Sequence, residues 1–249
     1  MNDDSDFIIA LEQVSKLYKM GNVIVPALTD ASLLIQSGEM VSIVGPSGSG
    51  KSTLMNVLGC LDVPTSGKYL LSNEDVSQMN DNRLAKIRNA QIGFIFQTYN
   101  LLPRLTALGN VELPLLYGDS SDSKGRCVRA LERVGLAERV NHKPSELSGG
   151  EQQRVGIARA IVKQPTLILA DEPTGNLDSH SSNEIVAILQ DLNEVENLTV
   201  VIVTHDLEVA NCTDRIISMR DGRITDDSRV QNRRWLKTLT SDFVGDNQF

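Results

Sequence analysis

Cysteine is scarce in this 249-residue chain. There are three, Cys60, Cys127 and Cys212, widely spaced and without a C-x-x-C pair. That argues against a disulfide framework or a cysteine metal site, and predicts three reduced, buried thiols in a reducing compartment. Basic excess is missing too. The formal net charge is -8, which argues against nucleic acid as the main partner. No apolar run approaches the ~20 residues that cross a bilayer; the longest lie near TLILA and TVVIV. The opening MNDDSDF is acidic and no apolar segment follows a positive start, so no secretory leader is expected. The expectation is a cytoplasmic chain that leaves any membrane crossing to another protein.

What is present suits a globular domain. Hydrophobic residues make up 41% and charged residues 22%, and the length supports one large domain or a core with an insertion. Residues 7–18 read as a strand, followed by a turn at Gly21-Asn22 and a second extended stretch to about Ile35. Met40 to Val44 is a short apolar run that ends on a glycine-rich loop, and STLMNVLGCL after it has helical spacing. Pro64 to Gly67 is a loop, Lys68 to Leu71 a strand, Asn80 to Asn89 a helix and Ile92 to Phe96 a buried strand. From about 98 to 163 the pattern is mostly helical, interrupted by Pro103, Pro114, Gly118 and Pro144. Residues 167–170, 200–203 and 216–219 resume the buried-strand pattern. Strands alternating with helices predict an α/β fold with a mainly parallel sheet covered on both faces. From about Arg229 no core pattern is visible. NRRWLK sets three cations around Trp235, which reads as a short helix on its own domain, a loose end, or a membrane or partner contact.

Three motifs carry chemistry. GPSGSGKS fits G-x-x-x-x-G-K-[ST], with the strand before it and the helix after it that the motif requires. Its glycines let backbone N–H groups turn inward around a phosphate, and the helix N-terminus adds its positive end. Lys51 is expected to reach the β- and γ-phosphates and Ser52 to ligate Mg²⁺. TLILADE is an apolar strand ending in two carboxylates. Asp171 is expected to hold magnesium, and Glu172, at the carboxyl end where ligands of open α/β sheets bind, to polarise the attacking water. Third, Ser148 and Glu151 in LSGGEQQR fit a capping box. Gly149 and Gly150 behind the cap are costly in a helix. They suggest close approach of a second phosphate. His142 and His180 match no motif and are expected to be solvated.

The set GPSGSGKST, LSGGEQQR and LILADE resembles the ABC ATPase family, over residues 7 to about 225. The resemblance implies an α/β phosphate-loop (RecA-like) core with a mainly parallel sheet, an antiparallel β subdomain and a helical subdomain of about 98–163, together spanning 7–228, with 229–249 as a C-terminal tail. It implies ATP and Mg²⁺ as cofactors. ATP would be bound by Gly45, Pro46, Ser47, Gly48, Ser49, Gly50, Lys51, Ser52 and Thr53. Tyr18 resembles the aromatic that stacks on adenine. Gln97 matches the glutamine that contacts magnesium and water and adjoins the membrane partner. Asn176-Leu177-Asp178 matches the loop that crosses the dimer interface, and His205 the histidine at the γ-phosphate. In this family two such subunits pack head to tail, so that Ser148, Gly149, Gly150 and Glu151 of one close over the ATP of the other.

LGCLDVPTSG, IGFIFQTYNLLPRLTALGNVELPLL and ILADEPTGNLDS are similar to the branch holding MacB-type exporters, lipoprotein-release ATPases and the FtsE division ATPase. The first two of these lie nearest the MacB-type exporters. The implied partner is a separate transmembrane permease, with a periplasmic adaptor in the export case, and the implied place is the cytoplasmic face of the inner membrane. Lipoprotein release is the alternative. A soluble ABC ATPase of translation or repair would need two fused cassettes or a long coiled-coil insertion. A non-enzymatic ATP-binding regulator would not need Lys51, Asp171, Glu172 and His205 together. Gly109 stands where the branch commonly has Glu in TALEN.

Overall fold

The computed structural model describes residues 7–21, 23–117 and 122–236. Asn22, Gly118 and Lys237 of the patterns above lie outside them. Two sheets organise the chain. The first is antiparallel: β1 (Phe7–Met20) pairs with β2 (Val23–Gln36) and with β4 (Ser66–Leu71), and β4 pairs with β5 (Glu74–Asp75). The second holds β3 (Met40–Val44), β6 (Ile92–Phe96), β7 (Leu167–Asp171), β8 (Thr199–Val203), β9 (Arg215–Arg220) and β10 (Arg223–Arg229), in the order β10-β9-β3-β8-β7-β6. Every pair in it is parallel except β10 with β9.

The continuous apolar runs are explained by burial on both faces. Met40, Ile168, Ala170, Val200 and Ile202 face one core, while Val41, Ile43, Leu167, Leu169, Val201 and Val203 face the other. The first core is covered by α3 (Ala107–Glu112), α4 (Ser123–Arg133), α5 (Gly149–Ile161) and α6 (Ser179–Glu196). The second is covered by α1 (Lys51–Leu58), α2 (Asp81–Gln91) and the antiparallel sheet. Alternate residues along each strand thus lock two layers onto one sheet.

Several expectations need adjusting. The stretch 98–163 is less helical than its spacing suggests. Leu113–Tyr117, containing Pro114, tightens into a 3₁₀ turn, and Pro144 opens another at Pro144–Glu146. β10 is an edge strand of mostly exposed polar residues, RITDDSR, and so carries no burial pattern to read. Residues 230–236 form no helix; they lie along α6 and the one-turn α7 (Leu207–Ala210). His142 is half-buried rather than solvated, with a buried Nδ1 that has no hydrogen-bond partner among the described residues. The three cysteines are buried and free, and burial pushes the Cys60 and Cys127 thiols up to about 11.

Candidate functional site

Four neighbouring parallel strands end on one edge: β3 at Val44, β8 at Val203, β7 at Asp171 and β6 at Phe96. The residues just beyond those ends converge there. Gly45 to Thr53, Gln97, Asp171, Glu172 and His205 line one open cleft of about 980 Å³. The end of β8 at Val203 also borders it, and a further wall is Val25, Pro26 and Ala27 of β2 with Asp221 and Gly222 of the β9–β10 turn. Sequence reasoning missed this wall. Asp221-Gly222 is a hairpin signal, but its position beside the phosphate loop depends on tertiary structure.

The loop itself is held from several sides. Gly50 has φ 99°, and a Cβ there would stand 2.7 Å from the Ala27 carbonyl. A Cβ on Gly45 would meet the Met219 carbonyl at 2.3 Å. Gly222 N–H donates to the Ser49 carbonyl at 3.0 Å. Backbone therefore crowds both ends of the loop, and only glycine fits. Lys51 Nζ donates to the carbonyls of Gly45 and Pro46 at 2.7 and 2.9 Å, inside the curl of the loop.

The carboxylates form the opposite side. Asp171 is pushed up from the ordinary carboxylate range, first by burial and then by the neighbouring Glu172 charge, with Lys51 opposing. Glu172 has φ 45°, a left-handed conformation uncommon for a side-chain-bearing residue. Its N–H donates to the Val203 carbonyl at 2.8 Å. Its side chain accepts from His205 N–H at 3.1 Å and from the Thr204 hydroxyl at 3.3 Å, and lies 2.7 Å from His205 Nδ1. This hydrogen bond, then the Glu172 charge, raises the His205 pKa.

Ser52, Gln97 and Asp171 bring a hydroxyl, an amide oxygen and a carboxylate to the same cleft. Among the described residues no cluster of three His, Cys, Asp or Glu could cage a metal. Hard oxygen donors without a full protein cage suit Mg²⁺, which keeps waters and shares phosphates.

The other expected residues lie outside this cleft. Tyr18 is the cross-strand partner of Val25. Its hydroxyl donates to Asp62 at 2.9 Å, the Thr53 hydroxyl also reaches it, and Lys16 Nζ lies 5.1 Å from its ring. Ser148 and Glu151 form the capping box: Glu151 N–H donates to Ser148 Oγ at 3.2 Å and Ser148 N–H to Glu151 Oε2 at 2.8 Å. Hydrogen bonding to the Ser148 backbone leads the lowering of the Glu151 pKa. The two glycines have a packing reason inside the chain as well. A Cβ on Gly149 would stand 3.1 Å from the Tyr99 hydroxyl, and one on Gly150 3.0 Å from Ser181 Oγ. Asp178 caps α6, accepting from the N–H groups of His180 and Ser181. Asn176 Nδ2 donates to the Gln97 carbonyl at 3.0 Å, which ties that loop to the cleft rim.

A second cleft, of about 710 Å³, opens between α2, β6 and α5. Leu61, Phe94 and Phe96 give it an apolar wall, and Lys86, Arg88, Arg159 and Lys163 give it cations. Among the described residues no carboxylate lines it.

Known proteins match this chain closely. The family model described as ABC transporter matches residues 28–175. An uncharacterized ABC transporter ATP-binding protein, YvrO of Bacillus subtilis, is 52% identical over 89% of this chain and 97% of its own length. A macrolide export ATP-binding/permease protein MacB of Syntrophobacter fumaroxidans is 49% identical over 89% of this chain, which spans only 32% of that longer protein. Among solved structures, a dimeric post-hydrolysis state of the ATP-binding cassette MJ0796 bound to ADP and Pi superposes with a TM-score of 0.82 at 46% identity, covering 90% of this chain and 99% of that one. MJ0796 is from Methanocaldococcus jannaschii.

Proposed function

The chain belongs to the ABC transporter ATP-binding family and is an ATPase, and on that premise we propose that it works as a head-to-tail homodimer driving a separate MacB-type permease. The observation that carries this reading is a separation within one chain. The phosphate loop, Gln97, Asp171, Glu172 and His205 share one cleft, whereas Ser148, Gly149, Gly150 and Glu151 do not line it. The start of α5 with its capping box is a second phosphate-binding helix end, and a second copy of the chain would bring it over the open cleft.

In this reading the backbone N–H groups of Gly48 to Thr53 cradle the phosphates, and Lys51 exchanges its carbonyl partners for phosphate oxygens. Tyr18 stacks on the base. Ser52, Asp171 and Gln97 would hold Mg²⁺, which when bound would neutralise charge on the transferring phosphoryl group. Glu172 accepts a proton from the attacking water, and the His205 contact fixes the direction of its carboxylate. The His205 ring presents its other nitrogen to the γ-phosphate. Asp178 and its loop sit at the edge that meets the partner subunit. Loss of the γ-phosphate contacts then opens the dimer.

No described helix is long and apolar enough to cross a membrane, so membrane attachment is assigned to the permease, with this chain on the cytoplasmic face. The cationic second cleft flanks Phe96, next to Gln97, and suits a cytoplasmic segment of that permease. Likeness to the MacB protein, whose name joins ATP-binding and permease functions, favours export of a small molecule, peptide or lipid over lipoprotein release. The test of the hydrolytic site is phosphate release by Glu172→Gln. Turnover should fall about 10²-fold or more while ATP still binds; near-normal turnover would remove Glu172 from its role.

A further inference from the structure

The segment after β10 is anchored by α6 and by its own arginines. Gln190, in the middle of α6 and 1% exposed, engages both ends of its amide. Its Nε2 donates to the Cys212 carbonyl at 2.9 Å and to the Arg234 carbonyl at 2.8 Å, and its Oε1 accepts from Leu236 N–H at 3.0 Å. Arg233, with a side chain only 10% exposed, donates to Asp214 at 2.5 Å, to Glu194 at 3.3 Å and to the Cys212 carbonyl at 3.0 Å. Asp214 in turn accepts from Met40 N–H at the start of β3. Arg234 N–H caps the end of α7 through the Asn211 carbonyl at 2.9 Å, and its guanidinium reaches Glu208 at 3.2 Å.

Arg234 bonds α7, a helix of one turn, directly, at Glu208 and at its C-cap residue Asn211, while Gln190 and Arg233 both hold the Cys212 carbonyl just beyond its end. A single turn has no stability of its own and takes its position from tertiary contacts. His205 stands immediately before its cap, Asp206. A cavity of about 290 Å³ lies between, with Glu172 and His205 on one wall and Arg234 and Leu236 on another. His205 is joined to α7 through Asp206 alone, so a shift of α7 would move the His205 backbone, and displacements near 1 Å at a catalytic group can cost about 10²-fold in rate.

We propose that residues 230–236 are a strap that fixes α7 and the His205 loop, so that Gln190 and Arg233 are positioning residues for ATP hydrolysis. The proposal rests on the reading of Glu172 and His205 given above. It also gives the NRRWLK segment a role inside its own domain, with Trp235 stacked under the Arg233 guanidinium at 4.0 Å.

The experiment compares the full chain with Gln190→Met, Arg233→Met, Arg233→Lys and His205→Ala. Steady-state hydrolysis of Mg-ATP, equilibrium binding of a fluorescent ATP analogue, and amide hydrogen exchange are measured for each. For Gln190→Met and Arg233→Met, kcat should fall about tenfold with analogue Kd within about twofold. Exchange should quicken over residues 204–212 and not over β6 and β7. Arg233→Lys, which keeps the ion pair with Asp214, should recover part of the loss. Unchanged kcat in both Met variants would overturn the strap alone. So would a joint loss of kcat, analogue affinity and exchange protection across the whole sheet, which would make these residues merely structural. Normal turnover by His205→Ala would overturn the reading of the site and the strap with it.

Discussion

Glu172 turns through a left-handed backbone to meet His205, and the two side chains define each other's state. Because the carboxylate raises the imidazole pKa, their attraction is complete below about pH 6.5, the ordinary histidine value, and fades as pH rises through the raised value. Glu172→Gln should therefore lower the His205 titration midpoint, read from its ring resonances by NMR. An unmoved midpoint would mean that the contact is not made in solution. Lys51 sits inside the phosphate loop, so Lys51→Ala should abolish ATP binding in an equilibrium titration; retained affinity would count against its assignment. At this scale the sequence is eloquent. Gly45 to Thr53, Asp171, Glu172 and Ser148 stand out as candidates because each motif is a local backbone device with a fixed spacing, and the structure brings all but Ser148 to one cleft. Residues that act by approach are silent. Val25, Pro26, Ala27 and Gly222 reach the cleft from distant parts of the chain, and nothing in their neighbours says so.

Elements were readable where burial leaves a pattern. β3, β6, β7 and β8 are apolar runs because both faces are covered, and α1 follows its loop as the motif demands. β10 was unreadable because its residues face water and its pairing depends only on backbone. The region before α5 is less helical than its spacing suggests, since prolines there belong to 3₁₀ turns instead of merely interrupting helices. Ser148→Ala should lower unfolding stability by about 1 kcal/mol, measured by denaturant titration, because it removes the acceptor for Glu151 N–H. Gly222→Ala should destabilise by more than about 1 kcal/mol and weaken ATP affinity. Its φ is 74°, and the added Cβ would meet the Ala27 carbonyl at 2.9 Å beside the phosphate loop. Normal ATP affinity in that variant would detach the β9–β10 turn from the site.

For the whole molecule, the sheet gathers the candidate catalytic groups at one edge, and the capping box of α5 does not line the cleft they share. In the proposed dimer each copy would hold half of each of two sites, and its partner would supply the rest. The most direct measurement is the molar mass of Glu172→Gln by light scattering after size exclusion, with and without Mg-ATP. With ATP the mass should rise from the 27.3 kDa of one chain to about twice that. Adding Ser148→Arg should return it to one chain while each copy still binds nucleotide. A monomer that ignores ATP, or a dimer that ignores Ser148→Arg, would contradict the shared site.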